Sequence, residues 1–112
     1  MVVDSLVVPE LRLALAPPDI QAPLTVALLV ADRNRAMILA ILRDGPHCVC
    51  EMAAALDERP NNVSNHLARL REAGLVRATR QAVDTRRVYY ERDEAACTAA
   101  LAQLQSLLEP TR

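Results

Sequence analysis

The residue types with chemistry to offer fall in two places. Cys48 and Cys50 flank Val49 and precede Glu51, while a third cysteine, Cys97, lies far downstream. A deprotonated thiol is a soft ligand, and the start of a helix favours that form because the helix dipole stabilises negative charge there. On a regular helix, side chains at i and i+2 point about 200° apart. These two thiols therefore converge only where the backbone is irregular, which Gly45-Pro46 just upstream allows. The second place is residues 61–70. Val63, Leu67 and Leu70 follow i, i+4, i+7 spacing, which turns them towards a core. The opposite face then presents Asn62, Asn65, His66 and Arg69, with Asn61 and Ser64 beside them. Asparagine pairs bidentately with adenine and arginine with guanine or phosphate, and a serine hydroxyl can donate to phosphate. Glu72 is the only acid between Asn61 and Gly74, whereas a merely solvated helix face usually mixes both signs.

The rest of the chain must position these groups. Its 112 residues fit one domain. With no Phe or Trp, 19 Ala, 17 Leu and 11 Val fill the core, a composition suited to closely packed helices. Pro23 opens a helix to about residue 30. A second covers 33–43, burying Ile38, Ile41 and Leu42, and Gly45-Pro46 stops it. Residues 48–56 read as a short helix with Met52 and Leu56 inward; a turn follows, then a helix over 61–73 ended by Gly74. Two extended runs, 75–81 and 86–91, form a β-hairpin whose tip lacks glycine, which predicts a longer loop. A last helix over 93–108 carries Cys97, Leu101, Leu104 and Leu108 on one stripe. Leu6, Leu11 and Leu15 suggest a short helix before Pro17-Pro18, although Leu11, Leu13 and Leu15 also alternate like a strand. This order predicts a mainly α fold with a small β-hairpin wing, a winged helix-turn-helix. Residues 1–22 form an N-terminal extension, 23–108 the DNA-binding domain and 109–112 a tail.

The formal charge of -1 hides an asymmetry. Between residues 59 and 92 there are eight arginines against Glu72, Asp84 and Glu91, so this stretch is +5 and the remainder -6. That is the electrostatic footprint phosphate binding requires. Arg80, Arg86 and Arg87 flank the hairpin tip, where a wing meets the backbone or minor groove. Ala14-Leu15-Ala16 looks like a signal-peptidase site, but Asp4, Pro9, Glu10 and Arg12 break the pattern. The longest charge-free apolar stretch, 20–31, is far short of the roughly 20 residues of a membrane span. A cytoplasmic protein without a membrane partner is expected.

Ser64-Asn65-His66-Leu67, then Leu70-Arg71-Glu72-Ala73-Gly74-Leu75-Val76, then Arg87-Val88-Tyr89-Tyr90 resemble the bacterial ArsR–SmtB family of metal-responsive repressors. Ala31-Asp32 followed by Arg35 is similar to that family's Ala-Asp-Pro-Thr-Arg segment with two changes, and Cys48-Val49-Cys50-Glu51 to its Cys-Val-Cys-Asp box. The resemblance spans about residues 24–108. It implies a homodimer built by the first and last helices, bound to double-stranded operator DNA of inverted symmetry. It also implies that an ion taken up by the cysteine box distorts the helix-turn-helix and releases DNA. Asn61-Asn62, where small Ser or Thr residues are usual, and the glycine-free wing tip depart from the family and bear on which operator is read.

The ligand set is incomplete in the box itself. Arsenic-type members commonly carry a third cysteine where this chain has Ala53, and residues 1–47 contain no cysteine for a cadmium- or lead-type site. A three-thiolate site would recruit Cys97, across the dimer, or accept His47 or an exogenous thiol; Cys97 reads equally as an ordinary buried thiol. Soft ligands alone favour As(III) or Sb(III) as inducer, then Cd(II) or Pb(II), and zinc less. A thiol-redox or persulfide sensor of the same fold is the nearest alternative, and a winged helix used only for protein contacts is a more distant one. No nucleophile–base pair, phosphate-cradling glycine loop or His-carboxylate centre is evident, so no enzyme is expected.

Overall fold

A computed structural model describes residues 20–79 and 87–110. The expected helix within 1–22, the hairpin tip, Arg80 and Arg86 lie outside the described residues. Helices α1 (Gln21–Val30) and α2 (Arg33–Ile41) come first, and α2 tightens into a 3-10 turn at Leu42–Asp44. Strand β1 (His47–Cys48) leads into α3 (Val49–Leu56), and α4 (Pro60–Glu72) follows after a short turn. Strands β2 (Val76–Thr79) and β3 (Tyr89–Arg92) precede the final helix α5 (Glu94–Leu108).

Local chemistry sets the boundaries. The Asp32 carboxylate caps α2 by accepting from the backbone N–H groups of Asn34 and Arg35, at 2.9 and 3.1 Å. Pro60 occupies the first turn of α4, where its missing N–H costs nothing. Asp57 closes α3 in the left-handed region (φ 52°), a conformation that Asp tolerates better than most side chains. Gly74 leaves α4 at φ 81°, where a Cβ would be strained. Asp93 caps α5 by accepting from the Ala96 N–H.

The sheet has three antiparallel strands in the order β1-β3-β2. The expected hairpin is present as β2 and β3, with Val76 opposite Arg92 and Thr79 opposite Tyr89. The extra strand corrects the expected helix start: Cys48 is extended and pairs with Tyr89, and His47 with Tyr90. Two residues are too short a run to carry an alternating pattern, so this pairing is imposed by the tertiary structure.

Ile38 and Leu42 from α2, Met52, Ala53 and Leu56 from α3, and Val63, Leu67 and Leu70 from α4 form the core, sealed by Leu75 and Val76. All three expected core positions of α4 are buried. Ile41 packs against this core half-buried. Helix α5 packs on α1 but buries none of its residues fully; Leu101 and Leu108 of the expected stripe are 54% and 78% exposed. No described helix is long and apolar enough to cross a membrane.

Leu67 is fully enclosed. Leu67→Ala should therefore cost about 2–5 kcal/mol, read in urea unfolding as a lower midpoint at an unchanged m-value.

Candidate thiol centre and nucleic-acid interface

Convergence of the two thiols follows from the β1–α3 junction. Cys48 is the extended residue before the helix (φ −88°, ψ 164°), and Cys50 is the second residue inside it. The change of backbone direction brings the Cys48 and Cys50 sulfurs together as a pair, with Cα atoms 5.4 Å apart. Cys48 also forms a reciprocal cap: its backbone N–H donates to Glu51 Oε1 at 2.9 Å, and its sulfur accepts from the Glu51 N–H. Cys48 is buried (2% exposed), whereas Cys50 faces solvent. His47 is engaged elsewhere, with Nδ1 2.8 Å from the Gly45 carbonyl oxygen.

Cys97 lies on α5, half-buried, with its sulfur 3.7 Å from the Leu75 carbonyl oxygen. Burial pushes its thiol pKa up, and the neighbouring Arg92 charge offsets this only in part. It borders a cavity of about 160 Å³ whose walls include Val26, Leu39, Leu75, Ala100 and Leu104. Among the described residues, no three His, Cys, Asp or Glu side chains are gathered to hold a metal ion. Within one chain, Cys97 thus does not complete the Cys48–Cys50 pair.

On α4, Asn61, Asn62, Ser64, Asn65 and Arg69 are exposed and His66 is half-buried. Asn62, Asn65, His66 and Arg69 line an open cleft of about 380 Å³ together with Asp32 and Arg35 of the α2 start. Neither Asp32 nor Arg35 belonged to the reading face inferred from sequence; the signal for them was the Ala31-Asp32…Arg35 segment. Asp32 is held below the usual carboxylate range, chiefly by the hydrogen bond from the Arg35 backbone N–H, with partial burial opposing the shift and the Arg35 guanidinium adding to it. Asn62 Nδ2 donates to Glu58 Oε1 at 3.1 Å.

The basic stretch divides in two. Arg77 is spent on Glu91 (2.7 Å) and Asp93 (3.3 Å), and Arg92 on Glu94 (3.1 Å) and the Leu39 carbonyl oxygen (3.2 Å). These pairs brace the sheet. Arg59, Arg69, Arg71 and Arg87 are exposed, as is Arg77 itself despite its ion pairs.

A helix-turn-helix of α3 and α4 followed by a strand wing defines a winged-helix protein. The sequence model of the bacterial regulatory protein, arsR family, matches residues 32–78. The arsenic resistance transcriptional regulator ArsR1 of Pseudomonas putida is 46% identical over 59 residues, covering 52% of this chain and 46% of that protein. The arsenical resistance operon repressor of Escherichia coli K12 is 40% identical over 55 residues, covering 48% and 47%. The chain thus spans about half the length of the curated relatives it matches. A crystal structure described as a possible transcriptional regulator for arsenical resistance aligns with TM-score 0.62 and 30% identity, over 76% of this chain and 81% of that one. The chain belongs to the ArsR family of bacterial regulatory proteins.

The different surroundings of the three thiols make a chemical prediction. In reduced protein, iodoacetamide should label Cys50 first, with the buried Cys48 and the pKa-raised Cys97 lagging, as followed by peptide mass spectrometry.

Proposed function

We infer that this chain is a DNA-binding transcriptional repressor that leaves its operator when a soft metal(loid), As(III) or Sb(III) first, is taken up at Cys48 and Cys50. The observation that carries the reading is the meeting of two thiols at the cap of the helix packed against the reading helix. Arsenic resistance in the names of the relatives supports the choice of metalloid; Cd(II) and Pb(II) remain the alternatives for the same donor set. The fit is two-thirds complete, since pyramidal As(III) takes three thiolates and the pair supplies two. Cys97 of a second copy or an exogenous thiol would supply the third. Bound there, the metalloid would supply sulfur bonds strong enough to reorient both side chains.

The chain's own residues explain how such a change reaches DNA. The Cys48 sulfur is part of the cap of α3, and its backbone is part of β1 beside β3. Drawing that sulfur away removes an acceptor from the first turn of α3. Met52, Ala53 and Leu56 then shift against Val63 and Leu67 of α4 in their common core. Binding at the two sites is thereby negatively coupled, typically by about 1–3 kcal/mol.

In this reading Asn61, Asn62, Ser64, Asn65, His66 and Arg69 meet the major groove, and Arg80, Arg86 and Arg87 of the wing the DNA backbone. The domain is residues 23–108, flanked by 1–22 and 109–112, and it acts as a homodimer in the cytoplasm. Exposed Leu24 and Leu28 on α1, with Leu101, Leu107 and Leu108 on α5, support pairing through these helices. The pairing of the Cys48 and Cys50 sulfurs also favours a second reading, thiol-redox sensing, in which an external two-electron oxidant would be needed for release.

Fluorescence anisotropy on promoter duplex, with arsenite, antimonite, cadmium, lead or zinc added under full reduction, separates these readings. Release by arsenite without oxidant supports the first, and release only with oxidant supports the second. Salt-independent or absent DNA binding sinks both. Cys48→Ser with Cys50→Ser should leave operator affinity unchanged and abolish release. Arg69→Ala should weaken operator binding by about 1–3 kcal/mol without altering metalloid uptake.

A further inference from the structure

The two histidines of this chain carry opposite hydrogen-bond instructions. At His47, Nδ1 faces a carbonyl oxygen, so Nδ1 must carry the proton. At His66, Nδ1 lies 3.2 Å from the Arg35 guanidinium NH1. Arginine has only donors, so Nδ1 of His66 must be the acceptor and the ring proton sits on Nε2. A ring protonated at both nitrogens would set donor against donor at this contact.

Arg35 is itself held from the other side. Its Nε donates to the Leu29 carbonyl oxygen at 2.6 Å, and its backbone N–H to Asp32. The guanidinium is thereby strung between α1 and the reading helix α4. His66 lines the polar cleft with Asp32, whose Oδ1 lies 3.9 Å from Nε2, beyond hydrogen-bond reach, so Asp32 does not consume the Nε2–H. The His66 side chain retains 21% exposure, enough to meet a ligand there.

We propose that Arg35 is a positioning residue for the reading face: it locks His66 in the Nε2–H tautomer, so that His66 presents a donor to DNA. A donor there selects an acceptor, either a base-edge atom such as guanine N7 or O6, or a phosphate oxygen, and rejects the amino groups of cytosine and adenine. This rests on the DNA-binding reading above, but the tautomer can be measured without DNA.

Ring nitrogen–proton correlation spectra of the reduced full chain should show one histidine protonated at Nδ1 and one at Nε2, with His66→Gln removing the second set. Arg35→Met should shift His66 towards a tautomer mixture and leave the His47 pattern unchanged. A wild-type His66 protonated at Nδ1 overturns the proposal, whether or not any variant folds; so does an unchanged His66 pattern in a folded Arg35→Met protein. By anisotropy on promoter duplex, Arg35→Met and His66→Ala should each lose about three- to tenfold in affinity. His66→Gln, which keeps a side-chain donor, should recover most of it. A loss equal on unrelated duplex assigns the acceptor to phosphate, and one confined to promoter duplex assigns it to a base edge. Wild-type affinity in both Arg35→Met and His66→Ala overturns the role in reading. If the wild-type chain binds no DNA, the preceding section's reading fails and so does the donor's purpose, while the spectra still decide the tautomer.

Discussion

The arrangement depends on one junction, where the chain changes from strand to helix at Cys48. Its backbone belongs to the sheet, pairing with Tyr89, and its side chain belongs to the cap of α3. A buried residue serving both elements cannot move without disturbing each. A strand-to-helix corner is also what brings i and i+2 sulfurs together, which a continuous helix prevents. The junction thus sets the spacing of the two thiols and the packing of α3 together.

The reading helix is held in a comparable way from two sides. Val63, Leu67 and Leu70 anchor its inner face in the core, while His66 on its flank is tethered through Arg35 to the last turn of α1. Asp32 holds the far end of that tether by capping α2. Its position on the cleft places one carboxylate among donors, which tempers the positive field of the face. The arginines nearest in sequence do not all contribute to that field. Arg77 and Arg92 are committed to Glu91, Asp93 and Glu94, so they brace the wing's base.

Most of this was legible in the residues. Periodicity located all the described helices to within a few residues, because the apolar positions of α2, α3 and α4 meet in a single core. Glycine and proline marked the helix boundaries, because the φ of Gly74 ends α4 and the missing N–H of Pro60 suits only its first turn. β1 was not legible, since two residues carry no period and His47-Cys48 is a strand only because Tyr89 and Tyr90 lie alongside. The Ala31-Asp32…Arg35 segment hinted at a role for Asp32 and Arg35, but their place in the cleft was hidden: they are about 30 positions from His66, and only the fold brings them together. The charge count overstated the face because sequence position cannot tell which arginines are paired with carboxylates, as Arg77 and Arg92 are.

Helix α5 has a thermodynamic consequence. This fifteen-residue helix rests on α1 and sets Ala96, Cys97 and Ala100 against the core, yet it buries no side chain fully. In the homodimer proposed above, a second copy covering Leu101, Leu107 and Leu108 would add apolar burial by mass action. The melting temperature would then depend on concentration as much as on sequence, and dilution would loosen the helix that carries Cys97.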